Sequence, residues 1–347
     1  MSKKTFIILT VIVTLLLGVI ILSFMNRGYQ ISTEGKLVIV NKASKNVIFF
    51  DLEKGEQLAD IAIDIEPHEA TTLSNQDYVV VTNYGNENTI GKSLTVINTK
   101  SNSIEKIIDI GESSKPHGIT NIPNTNKVIV VTDVGNDLVV VDVVTGTVEK
   151  RIPTQGQLSH LVALHPNNKI AYASNIATND ISVIDIEEGV LIATIKCGLG
   201  AEGIDVTPDG KEVWVTNNRD NTINVIDTES LKITHTLTTQ EQPLRLKFTP
   251  DGKQCLVANA QYASVSVFNV DDKTLIKEIE FPGKNNLLER AIYHTPHPVG
   301  ILIHPNGEYA FIANSNANRI EVIDLNTFTI VSSIKSGLIP DGMALIK

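Results

Sequence analysis

The chain has 347 residues, 42% of them hydrophobic, which is ample for a large core, and a formal net charge of -10. Beyond residue 27 the body carries 26 basic against 39 acidic residues, a charge of -13. No run of Lys or Arg offsets that field, so nucleic acid is not an expected partner and anionic membranes are repelled.

In chain order, Lys3 and Lys4 precede an apolar run from Thr5 to Phe24. Twenty helical residues at 1.5 Å each span about 30 Å, the depth of a bilayer core. Residues 1–27 therefore predict one N-terminal transmembrane helix, with the basic end in the cytoplasm. The alternative is a cleaved signal segment, although the run ends Leu22-Ser-Phe-Met-Asn-Arg27, a poor cleavage site. Either reading places the body outside the cytoplasm, single-pass at the cell membrane or secreted or periplasmic. Residues 28–36 read as a linker.

From residue 37 to 347 the chain repeats. An apolar strand ends on Asn41, Asn83, Asp133, Asn175, Asn217, Asn259 and Asn314, and a second follows, ending on Asp51, Asn98, Asp142, Asp185, Asp227, Asn269 and Asp324. Successive first markers lie 42, 50, 42, 42, 42 and 55 residues apart. Several short strands per unit at that period predict propeller blades. One unit shows the pattern. Ile204 and Val206 alternate in strand A, and Pro208-Asp209-Gly210 makes a tight turn. Val213–Asn217 is strand B, Ile223–Asp227 strand C and Lys232–Leu237 strand D. Seven B strands are present but only six A–B turns. Asp341–Ile346 reads as an A strand with no B strand after it, so the last strand is expected to complete the first blade. The fold predicted is all-β, a seven-bladed β-propeller of four-stranded blades, closed in this way. The strand-end Asn and Asp residues are expected to bond backbone in turns. Cys197 and Cys255 fall two blades apart, too far for a bridge. With no Cys-x-x-Cys-His motif, the chain attaches no c-type haem.

Val215-Thr216-Asn217, Val81-Thr82-Asn83 and the 221–227 segment Asn-Thr-Ile-Asn-Val-Ile-Asp resemble the YVTN-repeat β-propeller family, over residues 35–347. More distantly, the chain resembles seven-bladed lactonases and the propellers of nitrite and nitrous oxide reductases. That resemblance implies an extracytoplasmic propeller. The nitrous oxide reductase propeller holds copper through histidines at this general place, but no second copper domain is present here.

The residues entering the A strands are His68, His117, His160, Glu202, Leu244-Arg245, Val299 and Asp341. They are predicted to converge on the channel axis. Imidazoles beside a carboxylate suit Cu, Zn or Fe, with His68, His117 and His160 as the expected metal ligands. Two lengthened connections fall on the same face, Tyr84–Ser93 and a stretch within Pro282–Pro298. The second holds Arg290, Tyr293, His294 and His297, of which Arg290, His294 and His297 join the candidate ligand-binding set. Surface insertion is the competing reading. His160, Glu202 and Arg245 also form a candidate catalytic set, a base with an Arg to hold a carboxylate. The expected role is a membrane-anchored binding module for a small ligand, metal or extracytoplasmic protein. Alternatives are a lactonase-like enzyme and a structural surface protein.

Overall fold

Strand B of each repeat is an unbroken apolar run because both its faces are covered. In Glu212–Asn217 every residue after the first is buried. Strand D faces solvent on one side, and Val190–Lys196 alternates exposed with half-buried residues along most of its length. The computed structural model describes Thr5, residues 28–283 and residues 295–347. Its strands form seven four-stranded antiparallel sheets, each a blade. The expected transmembrane segment, and with it Arg290, Tyr293 and His294, lies outside the described residues. Among those described, no helix is long and apolar enough to cross a membrane.

Numbered around the ring, blade 1 combines Lys36–Ala62 with the C-terminal strand Pro340–Ile346. The closing strand pairs with strand B of that blade, Lys36 opposite Ile346 and Ile39 opposite Met343. Strands A of blades 2 to 7 are Pro67–Thr72, Pro116–Asn121, Ser159–Leu164, Ala201–Val206, Pro243–Phe248 and Pro298–Ile303. The core lies between neighbouring blades. Trp214, fully buried, meets Phe248 and Phe268 edge-on, with ring centroids 5.4 and 6.4 Å away.

The strand-end markers divide into two kinds. The Asp residues closing strand C cap turns as expected; Asp185 Oδ1 accepts from the backbone N–H of Glu187 and Glu188. The Asn residues closing strand B bond mainly to side chains instead. Asn175 Nδ2 donates to Asp180 Oδ1 at 2.8 Å and Ser182 Oγ at 2.9 Å, and Asn259 Nδ2 donates to Ser264 and Ser266. The reason is depth: these Asn are fully buried at the head of the B–C hairpin, where strand C offers hydroxyls. Cys197 and Cys255 are free thiols.

Candidate functional site

One feature repeated in all seven blades builds the site. Near the start of strand A the pairing with strand B slips by one residue. Pro67 faces Asn83 but Ala70 faces Val81, and Pro116 faces Thr132 but Ile119 faces Val130. The same shift occurs in the other five blades. A bulge of this kind breaks the in–out alternation, so successive residues both reach the channel. The first of them makes a ring of His68, His117, His160, Glu202, Leu244, Val299 and Asp341. The second makes a ring of Glu69, Gly118, Leu161, Gly203, Arg245, Gly300 and Gly342.

The glycines of the second ring are there for space. A Cβ on Gly118 would lie 2.6 Å from Leu161 Cα, and one on Gly300 would lie 2.1 Å from the Asp341 carbonyl oxygen. Neighbouring A strands therefore touch backbone to backbone, which brings the first-ring side chains within reach of one another.

His68 Nδ1 lies 2.9 Å from His117 Nε2 and 3.4 Å from Asp341 Oδ2. One ligand atom from each of these three residues falls within a mutual span of 4.8 Å. All three side chains are buried, His117 at 2% exposure and Asp341 at 3%. His117 Nδ1 and Asp341 Oδ1 have no protein partner. Burial pushes both imidazoles well below the usual histidine value, so they are neutral donors. Burial alone would raise the Asp341 carboxyl, but Lys42, His68 and Arg245 hold it below its usual value. Lys42 Nζ sits 3.5 Å from it.

His160 is placed differently from the expected metal set. Its ring stacks on His117, centroids 3.7 Å apart, rather than converging with His68 and His117 on one point. Its Nδ1 is held by Asp133 at 3.0 and 3.2 Å, and Asp133 in turn accepts from Tyr84 Oη at 2.8 Å. Nε2 faces Glu202 Oε1 at 3.6 Å, too far for a hydrogen bond. Burial lowers the His160 pKa, but Asp133 and Glu202 outweigh it and hold the ring above the usual histidine value. Among the described residues the metal-type triad is thus His68, His117 and Asp341, with the carboxylate where a third histidine was expected.

Arg245 spans the channel. Nη2 donates to Glu69 Oε1 at 3.0 Å and Nη1 to Glu202 Oε1 at 3.2 Å. Asn218 holds the other oxygen of Glu202. The guanidinium expected to bind a ligand carboxylate is therefore committed to two of the protein's own. His297 is not one of the converging ligands: its backbone N–H donates to Asn314 Oδ1 at 2.6 Å and its ring is bonded to the Ala260 backbone, although Asp341, Lys42 and Glu202 all lie near enough to act on its charge.

Sequence reasoning brought six of these residues to one place and missed Glu69, Asp133, Tyr84 and Lys42. Two signals were available. Asp133 is the one first marker that is not Asn, and Glu69 stands where four other blades carry glycine.

Residues 66–281 match the family model described as lactonase, 7-bladed beta-propeller. No curated protein matches the chain in sequence. Among solved structures, a functionally unknown protein from Desulfotomaculum acetoxidans superposes with a TM-score of 0.74 at 18% identity, covering 90% of this chain and 98% of its own. Hydrazine synthase of Kuenenia stuttgartiensis superposes with a TM-score of 0.69, also at 18% identity, over 86% of this chain and 94% of that one. At such identities these two likenesses speak for the fold. With the family model matched over most of the propeller and all seven blades in place, the chain belongs to the seven-bladed β-propeller lactonase family.

Proposed function

We propose that this propeller is a binding module that holds one transition-metal ion at the mouth of its channel through His68, His117 and Asp341. The observation that carries the reading is the convergence of three buried ligand atoms within 4.8 Å, with His117 Nδ1 and Asp341 Oδ1 left without protein partners. Metal–ligand bonds of about 2.0–2.2 Å at tetrahedral angles set ligand atoms roughly 3.3–3.5 Å apart. The 2.9 and 3.4 Å separations from His68 are near that spacing, and the His117–Asp341 pair, within the 4.8 Å span, would close on the ion. Two imidazoles and a carboxylate suit Zn, Fe or Cu and leave coordination positions for a ligand from the funnel. The test is metal content of the purified chain beside a His117→Ala variant. About one ion per chain in the wild type and none in the variant supports the reading; equal content in both overturns it.

A second reading is lactone hydrolysis at His160 and Glu202, favoured by the family match and by the way Asp133 orients His160. In that chemistry one group takes a proton from water as it adds to the lactone carbonyl. The ring C–O bond breaks and its oxygen takes a proton. Arg245 then serves as a positioning residue, since its donors already meet Glu69 and Glu202. Turnover of γ- and δ-lactones that disappears in His160→Ala supports this; no turnover by the wild type removes it.

We place the propeller outside the cytoplasmic membrane on the strength of Lys3, Lys4 and the apolar run that follows. Protease digestion of the propeller in intact protoplasts tests that placement, and full protection would contradict it.

A further inference from the structure

On the far side of the Arg245 bridge the channel continues as a second, separate chamber. Its volume is about 480 Å³, and it reaches the face of the A–B turns, where Pro208, Pro250 and Pro305 line it. None of the first-ring histidines borders it. Glu69 and Arg245 border its inner end, and its walls are mixed, apolar at Ile119, Leu161, Leu302 and Met343 and polar at Thr71, Thr120 and Thr249. Farther along the wall stands one charged pair, Lys247 and Asp205, 3.2 Å apart and mutually neutralised.

The inner end is short of hydrogen-bond donors. One guanidinium serves two carboxylates, Glu69 and Glu202, and of the two Glu202 has a further donor, Asn218. Glu69 Oε1 takes its single bond from Arg245, and Oε2 has no protein donor among the described residues. A carboxylate oxygen without a protein donor, beside an apolar stretch of chamber wall, is completed by a cation that brings its own N–H groups. The acidic body draws small cations toward that opening. We propose that this chamber binds a small organic amine, its ammonium group on Glu69 Oε2 and its hydrocarbon part against Leu161, Leu302 and Met343.

The test is calorimetry on the full-length protein with hexylammonium, and with hexanol and hexanoate as neutral and anionic counterparts of the same length. Hexylammonium should bind at least tenfold more tightly than either, and Glu69→Gln should remove that preference. Should Glu69→Gln fail to fold, Leu302→Trp fills the chamber away from the charges and should abolish binding while leaving metal content unchanged. No binding of hexylammonium by the wild type overturns the proposal, as does equal binding of hexanol or unchanged binding in Leu302→Trp.

Discussion

His117 and His160 lie face to face, ring centroids 3.7 Å apart and planes 30° from parallel, yet their surroundings push their pKa values in opposite directions. His117 has no carboxylate partner on its Nδ1 and is held neutral by burial. His160 is tied to Asp133 and stays protonated to higher pH than an ordinary histidine. The ring held neutral is suited to a metal; the ring that keeps its proton to higher pH is suited to giving a proton or meeting an anion.

Asp133→Asn gives blade 3 the residue found at that position in every other blade, so the fold should survive. The substitution should lower the His160 pKa, read by NMR titration of the imidazole. The consequence for stability follows from linkage. A histidine whose folded pKa is raised contributes stability that is fully present below about pH 6.5 and is lost as pH rises through the folded value. The wild type should therefore exceed the variant in melting temperature at pH 6, by roughly a few degrees. That gap should narrow at higher pH. A constant gap would contradict the account.

Replacing Arg245 with Met leaves Glu69 and Glu202 facing each other in the channel without their shared cation. Removing one partner of a buried ionic group typically costs about 3–5 kcal/mol. Denaturant unfolding should show a loss of that size, partly restored by the double substitution Glu69→Gln with Arg245→Met. A single variant as stable as the wild type would show that the bridge carries no load in the folded state.

Gly118→Ala tests the close approach of the A strands. The added methyl would lie 2.6 Å from Leu161 Cα and 2.8 Å from the His160 carbonyl oxygen, both backbone atoms that cannot swing aside. Overpacking of this kind costs about 1–3 kcal/mol. It should also part His117 from His160, which a change in their NMR shifts would register. Unchanged stability and shifts would mean that the strands have more freedom than this spacing implies.

Deleting residues 340–347 removes the innermost strand of blade 1 together with Asp341. The Leu37 and Val38 backbones then lose their partners Leu345 and Ala344. An open inner edge is exposed, and the protein should become insoluble or lose cooperative unfolding. A soluble, cooperatively folded truncation would argue against ring closure as a source of stability.

The blades were legible in the sequence because each is a local structure. Val-Thr-Asn strand ends and Pro-Asp-Gly turns recur close to their own partners, and counting seven B strands against six A–B turns exposed the closing strand. The channel was only half legible. Its residues could be placed at the strand entrances, but which atoms meet depends on the one-residue bulge and on how closely the glycines let the strands approach. That spacing stacks His160 on His117 and gives its expected place to Asp341. It also turns Arg245 inward to Glu69, a residue one position beyond those considered. Asp133 was concealed by its membership in a repeated set whose other members are structural.

The most direct test of the central claim is the metal content of the purified full-length protein by mass spectrometry, measured for the wild type and for His68→Ala, His117→Ala and Asp341→Ala. The account predicts close to one Zn, Fe or Cu per wild-type chain and a large loss in each variant, with His160→Ala retaining most of its metal. A wild type that carries no metal after incubation with these ions, or a loss confined to His160→Ala, would contradict it.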